Sequence, residues 1–165
     1  MLTQWVTLLT PDGTFGIVAN SEGVLAAGWT DDIESLVALI HPSRRPDQLP
    51  RSAGLALDSA RAAVEAYYAG DLAAPMSIPI CQTSSPFRLR VWEALRTIPA
   101  GQRLTYTDLA TRAGNALAIR AAGSACALNP AALFQPCHRI VRRDGKLGGF
   151  RYGLPIKAAL LAREA

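Results

Sequence analysis

In Pro136-Cys137-His138-Arg139-Ile140 a thiol stands next to an imidazole, and this pair is where the chain could do chemistry. A cysteine attacks only as its thiolate, and a neighbouring imidazole can take the proton. Taken alone, the dipeptide also fits a buried structural cysteine with a chance histidine beside it, because cysteine is among the residues most often buried. The other thiols are Cys81 and Cys126, no C-x-x-C occurs, and His41 is the only other histidine. That inventory predicts no structural zinc or other metal, and no cofactor motif is present. Three cysteines cannot all pair, so a disulfide framework is not expected either.

Charge narrows the partner. Residues 1–83 carry four Arg and nine Asp/Glu, a net of −5, whereas residues 84–165 carry eleven Arg, two Lys and four Asp/Glu, a net of +9. Such asymmetry suggests that the second half faces a polyanion. Arginine makes up fifteen of the seventeen basic residues, and its planar fork binds phosphate bidentately and stacks on bases. No apolar run reaches the roughly 18 residues of a membrane span. Met1-Leu2-Thr3-Gln4-Trp5 lacks the basic start and apolar core of a signal peptide, so a cytoplasmic protein is expected.

The elements that must hold the thiol can be read in order. Three short strands, over 3–9, 14–19 and 23–29, are separated by Pro11-Asp12-Gly13 and Asn20-Ser21-Glu22, which predicts an antiparallel meander. Asp31 is expected to cap a helix over 32–40 with Ile33, Leu36, Val37 and Ile40 inward. Residues 41–52, with three prolines, read as a surface loop in which His41 has a surface or helix-end role. A helix over 55–69 carries Leu57, Ala60, Val64, Tyr67 and Tyr68 at helical spacing and ends at Gly70. Residues 70–86, with Gly70, Pro75, Pro79 and Pro86, read as a linker, which divides the chain into an α/β domain (1–80) and a second domain (81–165). Cys81 has no evident partner in the sequence.

Beyond the linker, Ser85-Pro86 is a helix start, and Phe87, Val91, Trp92 and Leu95 form an apolar face. Thr105 with Asp108 resembles a capping box opening a short helix. The turn Ala113-Gly114-Asn115 leads to a third helix over 117–128, and two short helices around a glycine turn suggest a helix-turn-helix. Ala121, Ala122, Gly123, Ser124 and Ala125 let another surface approach that helix closely, either a neighbouring helix or a nucleic-acid groove. Arg142-Arg143-Asp144-Gly145 is a charged turn and 148–153 a glycine-rich loop. A last helix over 154–164 turns Ile156, Leu160 and Leu161 inward.

Several segments carry a resemblance: Phe87-Arg88-Leu89-Arg90-Val91-Trp92, Gly101-Gln102-Arg103-Leu104-Thr105-Tyr106, Ala118-Ile119-Arg120-Ala121-Ala122-Gly123, Asn129-Pro130, Pro136-Cys137-His138-Arg139-Ile140, Gly148-Gly149-Phe150, and Gly153-Leu154 with Lys157 and Leu160-Leu161-Ala162-Arg163-Glu164. In order and spacing they resemble the O6-alkylguanine-DNA alkyltransferases, which repair DNA by direct reversal. The match is strong over about 84–165 and weak over the first 80 residues.

The resemblance implies an α+β fold: a small antiparallel-sheet, RNase H-like N-terminal domain with helices, then a mainly helical domain of winged helix-turn-helix type. It implies irreversible, stoichiometric transfer of an alkyl group from O6-alkylguanine, and less so O4-alkylthymine, to Cys137 after base flipping. His138 would take the thiol proton through a water, with Glu164 orienting the histidine. Tyr106 would protonate or hydrogen-bond the departing guanine, and Asn129 would brace the active-site turn. The base and its alkyl group would meet Tyr106, Ile140, Phe150 and Arg151. Arg120 would fill the gap left in the duplex while Ala121, Ala122 and Gly123 let the helix enter the minor groove. Thr105, Arg103, Arg142 and Arg143 are further expected DNA contacts.

The implied partner is double-stranded DNA containing alkylated guanine, met by a monomer, with clustering along DNA left open. The segment departs from the family at Cys126, read as helix packing, at Arg88 in place of glutamine, and at Phe150-Arg151, which leaves tolerance of bulky alkyl groups open. The four-cysteine zinc domain of Ada-type regulators does not occur in this sequence, so regulation in that style is not expected. Two rival readings are a non-catalytic lesion-binding relative, a group that lacks the cysteine, and a thiol hydrolase with a Cys-His-Glu triad.

Overall fold

Alternating apolar residues and two tight turns fold the N-terminal segment into an antiparallel meander, β1 (Gln4–Thr10), β2 (Gly13–Asn20) and β3 (Gly23–Gly28). The computed structural model describes residues 2–48 and 55–165. The β2–β3 turn closes through Asn20, whose Oδ1 accepts from the amides of Glu22 (2.8 Å) and Gly23 (3.2 Å). Only glycine fits at 23, where φ is +148° and a Cβ would sit 2.4 Å from the Pro79 carbonyl oxygen. β2 and β3 are buried along almost their whole length. Phe15 meets Trp29 edge-on at 5.0 Å. The Trp29 indole donates to Tyr68 Oη (2.9 Å), which donates to Asp12 (2.8 Å).

The first helix differs from its expected form. Asp32, not Asp31, is the cap, accepting from the Ser35 amide, and α1 covers only Ile33–Val37. The chain then tightens, with Leu39 and Ile40 amides donating to Leu36 and Val37 carbonyls (both 3.0 Å), so Ile40 stays buried although the α-helix has ended. His41 does act at a helix end: its Nδ1 accepts from the Ser43 amide and caps a 3₁₀ turn, Pro42–Arg44. The rest of the expected loop, from residue 49, lies outside the described residues. In α2 (Leu55–Tyr68) the inward face holds Leu57, Ala60, Val64 and Tyr67, and Gly70 follows at φ +111°.

The stretch expected as a linker is ordered against the sheet. Val24 donates to Pro79 O and Cys81 donates to Val24 O, each at 2.9 Å, which adds a short parallel bridge beside β3. Cys81 is buried there, its sulfur 3.2 Å from both Glu22 Oε2 and Arg44 Nη1. The described chain divides into two compact units, Met1–Thr83 with Pro130–Phe134, and Ser84–Asn129 with Gln135–Ala165. Within the first unit, residues 130–132 flank β3: Ala27 donates to Pro130 O (2.8 Å) and Ala132 to Ala27 O (3.0 Å). Leu133 takes φ +72°, an uncommon conformation for a branched residue.

The second unit is mainly helical. α3 (Pro86–Leu95) starts with Ser85 at its cap, although the serine side chain makes no capping bond. α4 (Tyr106–Arg112) opens with the full capping box: the Asp108 amide donates to Thr105 Oγ1 (3.1 Å) and the Thr105 amide to Asp108 Oδ2 (3.0 Å). It ends in a Schellman turn in which Gly114, at φ +97°, and Asn115 donate back to Thr111 and Ala110. α5 (Ile119–Ala127) follows, giving the expected helix-turn-helix. β4 (Leu104–Thr105) pairs in parallel with β5 (Ile140–Val141), and α6 (Leu154–Glu164) closes the unit over the expected residues. Val91, Trp92, Leu95, Leu109, Ala122 and Ile140 share one core, and Trp92 Nε1 donates to Ala125 O (2.9 Å). The architecture is α+β, and no helix of the described residues is long and apolar enough to cross a membrane.

Candidate active site

The Cys-His pair sits on a single 3₁₀ turn, Cys137–Arg139, between Pro136 and β5. One turn cannot hold two reactive side chains by itself, so longer elements brace it. On one side Asn129 and Gln135 form a buried reciprocal pair: Asn129 Nδ2 donates to Gln135 O (2.7 Å) and Gln135 Nε2 donates to Asn129 Oδ1 (2.8 Å). Asn129 also hydrogen-bonds the Cys137 thiol. On another side the β4–β5 pairing aligns Thr105 with Val141, which brings Tyr106 to the turn.

The third support is α6. Its spacing places Lys157, Leu160, Leu161 and Glu164 on one buried face. The Glu164 carboxylate lies 2.7 Å from His138 Nε2 and accepts from Arg139 Nε at 2.8 Å, with all three side chains nearly inaccessible. Arg139 adds a longer bond to Glu164 Oε2 (3.3 Å) and donates through Nη1 to Ile98 O (2.7 Å). With a carboxylate at Nε2, the neutral imidazole carries its proton there and leaves Nδ1 as the basic nitrogen. Nδ1 is buried and has no hydrogen-bond partner among the described residues. Burial pushes the His138 pKa below 6.5, and Arg139 and Lys157 push the same way against the hydrogen bond and charge of Glu164.

Cys137 is half-buried. Burial raises its thiol pKa, while the Asn129 hydrogen bond and the positive charges of Lys157 and Arg151 favour the thiolate. Lys157 is fully buried and donates to Ile140 O (2.7 Å) and Gly149 O (3.2 Å). In the sequence Arg139 and Lys157 stand only as members of longer segments, with no role of their own. The signal that could have assigned Lys157 was its helical phase, which it shares with Leu160, Leu161 and Glu164. Tyr152 was also missed. Its phenol pKa is pushed up to about 12, chiefly by burial, with a contribution from Cys137, and its ring meets Phe150 edge-on at 5.8 Å.

Tyr106 is half-buried, and burial with nearby Cys126 and Cys137 pushes its pKa up to about 12. The glycine-rich loop passes close to it: at Gly148, φ +75°, a Cβ would stand 3.1 Å from Tyr106 Oη. Tyr106, Arg142, Lys146, Gly148, Gly149 and Leu154 line an open groove.

The structure gives three of these residues specific surroundings. The Ile140 side chain is buried in the core, its amide donates to Cys137 O and its carbonyl accepts from Lys157. Arg151 is exposed and donates through Nη2 to Ala127 O (2.7 Å). Ala122 faces the core, because the helical phase that exposes Arg120, Ala121 and Ser124 turns it inward. Gly123 is half-buried, and Arg103, Arg142 and Arg143 are exposed, Arg142 with an ion pair to Asp144 (2.9 Å). The Thr105 hydroxyl is used in the capping box.

A thiol, an imidazole with a free basic nitrogen and a buried carboxylate, set on a helix-turn-helix unit, define a protein that activates a cysteine beside a nucleic-acid-binding scaffold. Residues 86–165 match the family model described as 6-O-methylguanine DNA methyltransferase, DNA binding domain. A methylated-DNA–protein-cysteine methyltransferase of Shigella flexneri is 32% identical over 158 residues, covering 95% of this chain and 92% of that protein. The chain belongs to the methylated-DNA–protein-cysteine methyltransferase family. The bifunctional transcriptional activator/DNA repair enzyme Ada of Escherichia coli is 48% identical over 91 residues, and there the match spans 55% of this chain but only 26% of the relative. Among solved structures, Mycobacterium tuberculosis OGT in complex with DNA aligns at a TM-score of 0.80 and 30% identity, covering 98% of this chain and 92% of that one.

Proposed function

We propose that this chain repairs DNA by moving an alkyl group from O6 of guanine, and less readily from O4 of thymine, onto Cys137. The observation that carries the reading is the buried Glu164–His138 pair next to Cys137, with Nδ1 left as the available base. His138 Nδ1 takes the thiol proton through an intervening water, and the imidazolium is held by Glu164. The thiolate sulfur attacks the alkyl carbon in line: the S–C bond forms, the C–O6 bond breaks, and the electron pair leaves with guanine. With its pKa pushed up to about 12, the Tyr106 phenol stays protonated at neutral pH and can donate to the departing guanine anion. The thioether is not cleaved by water, so each molecule acts once.

The target base must leave the stack for this reaction. α5 presents Arg120 and Ala121 to solvent, and their small-residue surroundings suit a minor groove, with Arg120 filling the gap in the duplex. Phosphate contacts from Arg103 and Arg143 would supply affinity without sequence preference. Residues 81–165 act as the DNA-binding, alkyl-accepting domain and 1–80 as a separate α/β domain of a cytoplasmic monomer.

Incubation with duplex DNA carrying O6-methylguanine should add a single methyl mass to the peptide containing Cys137. No adduct, or one on Cys81 or Cys126, would end the reading; loss of the adduct with retained lesion binding would leave a lesion-binding protein. A second expectation concerns Arg120→Ala. If the arginine holds the flipped state, repair of duplex DNA should slow on the order of ten- to a hundredfold, with far less change toward free O6-alkylguanine base. Equal losses on both substrates would remove Arg120 from that role.

A further inference from the structure

The loop that borders the groove is held at two points. From inside, Lys157 donates to the Gly149 carbonyl (3.2 Å). From outside, Arg151 Nη2 donates to the carbonyl of Ala127 (2.7 Å), the last residue of α5. The loop's ends are Gly148 and Gly153, at φ +75° and +101°, where the backbone can turn with little steric resistance. Between them lie Phe150 and Tyr152, packed on each other, with Tyr152 in the electrostatic field of Cys137. The carbonyls at a helix C-terminus lack intrahelical partners, and a guanidinium is a favourable donor to them. Arg151 is exposed, so this tether contributes little to global stability. Its consequence is local: it joins the loop bearing Phe150 and Tyr152 to the helix that presents Arg120.

We propose that Arg151 is a positioning residue that couples α5 to the 148–153 loop, so that DNA seated on α5 fixes the wall of the alkyl pocket. The inference rests on the reading of α5 as the DNA-contacting helix. A rigid link of this kind transmits an event on the helix to the loop, because ordering one end orders the other. Lys157 cannot replace it, since that cation ties the loop to α6 and β5 rather than to α5.

The test is hydrogen exchange at the Gly149, Phe150 and Tyr152 amides, with and without saturating undamaged duplex, in the full chain. In the wild type, duplex should slow exchange about three- to tenfold, the scale of one hydrogen bond. Arg151→Ala should abolish that response while its α5 amides remain protected by duplex. Arg151→Gln, which keeps a donor to the carbonyl without the charge, should retain it. The proposal is overturned if Arg151→Ala responds like the wild type, if the glutamine variant behaves like alanine, or if wild-type loop exchange ignores DNA that protects α5. This readout involves no alkyl transfer. Failure of the repair reading appears separately, as absence of the Cys137 adduct or of any duplex protection on α5.

Discussion

Glu164→Ala is expected to destabilise the protein by about 3–5 kcal/mol, the typical cost of removing one partner of a buried ion pair. Two residues depend on that carboxylate. Arg139 would keep only its bond to Ile98 O among those described for its guanidinium, and a buried charge would be left uncompensated. His138 would lose its Nε2 partner as well. Against a typical folding stability of about 5–15 kcal/mol, such a loss is large. It should appear as a fall in the urea midpoint with an unchanged slope. Glu164→Gln retains one acceptor oxygen and should fall between the two. A midpoint within experimental error of the wild type for Glu164→Ala would mean that the cluster is not holding the turn, and the role of α6 would have to be reassigned. Transfer should fall with stability in the alanine variant, and in the glutamine variant it should fall even where the protein is fully folded, because a neutral amide cannot stabilise the imidazolium.

His138→Gln isolates the chemistry from the scaffold. Glutamine can still reach a hydrogen bond to Glu164, so the fold should persist, but the proton acceptor is gone. General-base removal should slow alkyl transfer by about 10²–10⁴-fold, measured in single-turnover assays with enzyme in excess. The pH dependence gives the assignment its sign. Burial depresses the folded-state pKa of His138 below the ordinary 6.5, so the folded protein holds the neutral, basic form to lower pH than the unfolded chain does. The corresponding stability is fully present above the unfolded value and is lost as pH falls through the lower folded value. The wild-type transfer rate should therefore persist as pH drops below 6.5 and decline only nearer the depressed pKa. The glutamine variant should lack that acid limb. An acid limb at or above 6.5, or one that survives in the variant, would assign it to another group.

Both experiments bear on the same arrangement, a carboxylate shared by an imidazole and a guanidinium. The sharing has a chemical consequence. Arg139 draws on the carboxylate charge that would otherwise favour the imidazolium, and together with burial this keeps His138 a neutral base until a proton arrives. Lys157 and Arg151 act at the other end, opposing the rise that burial imposes on the Cys137 thiol. Burial thus favours the neutral forms of both thiol and imidazole, while the positive charges of Lys157 and Arg151 oppose it at the thiol.

What could be read without coordinates was what depends on neighbours in the chain. The meander, the Thr105–Asp108 capping box, the Gly114 turn and the limits of α6 follow from alternation, spacing and the backbone freedom of glycine, which are local. The Cys-His pair was legible from its residue types, and the carboxylate 26 positions beyond His138 through the family resemblance of the segment that carries it. Where two local solutions compete, sequence alone chose wrongly. Asp31 and Asp32 are both good caps, and packing of Ile33 and Leu36 against the sheet selects the second. The stretch 70–86 reads as a linker because prolines spoil periodicity, and the division between the two compact units falls inside it, after Thr83, while its Pro79 carbonyl still accepts from Val24.

The sequence by itself determined the chemistry available to this protein: one thiol next to an imidazole, a basic second half, and a small-residue helix after a glycine turn. Tertiary structure alone decided which groups meet. It turned Ala122 inward, buried Ile140, joined Arg151 to Ala127, and brought Glu164, Arg139 and Lys157 around one short turn. The physical reason is that burial and charge act through space. The protonation state of Cys137 and His138 depends on dielectric, on the cations of Arg139, Arg151 and Lys157 and on the Glu164 carboxylate 26 positions beyond His138, which no local pattern encodes.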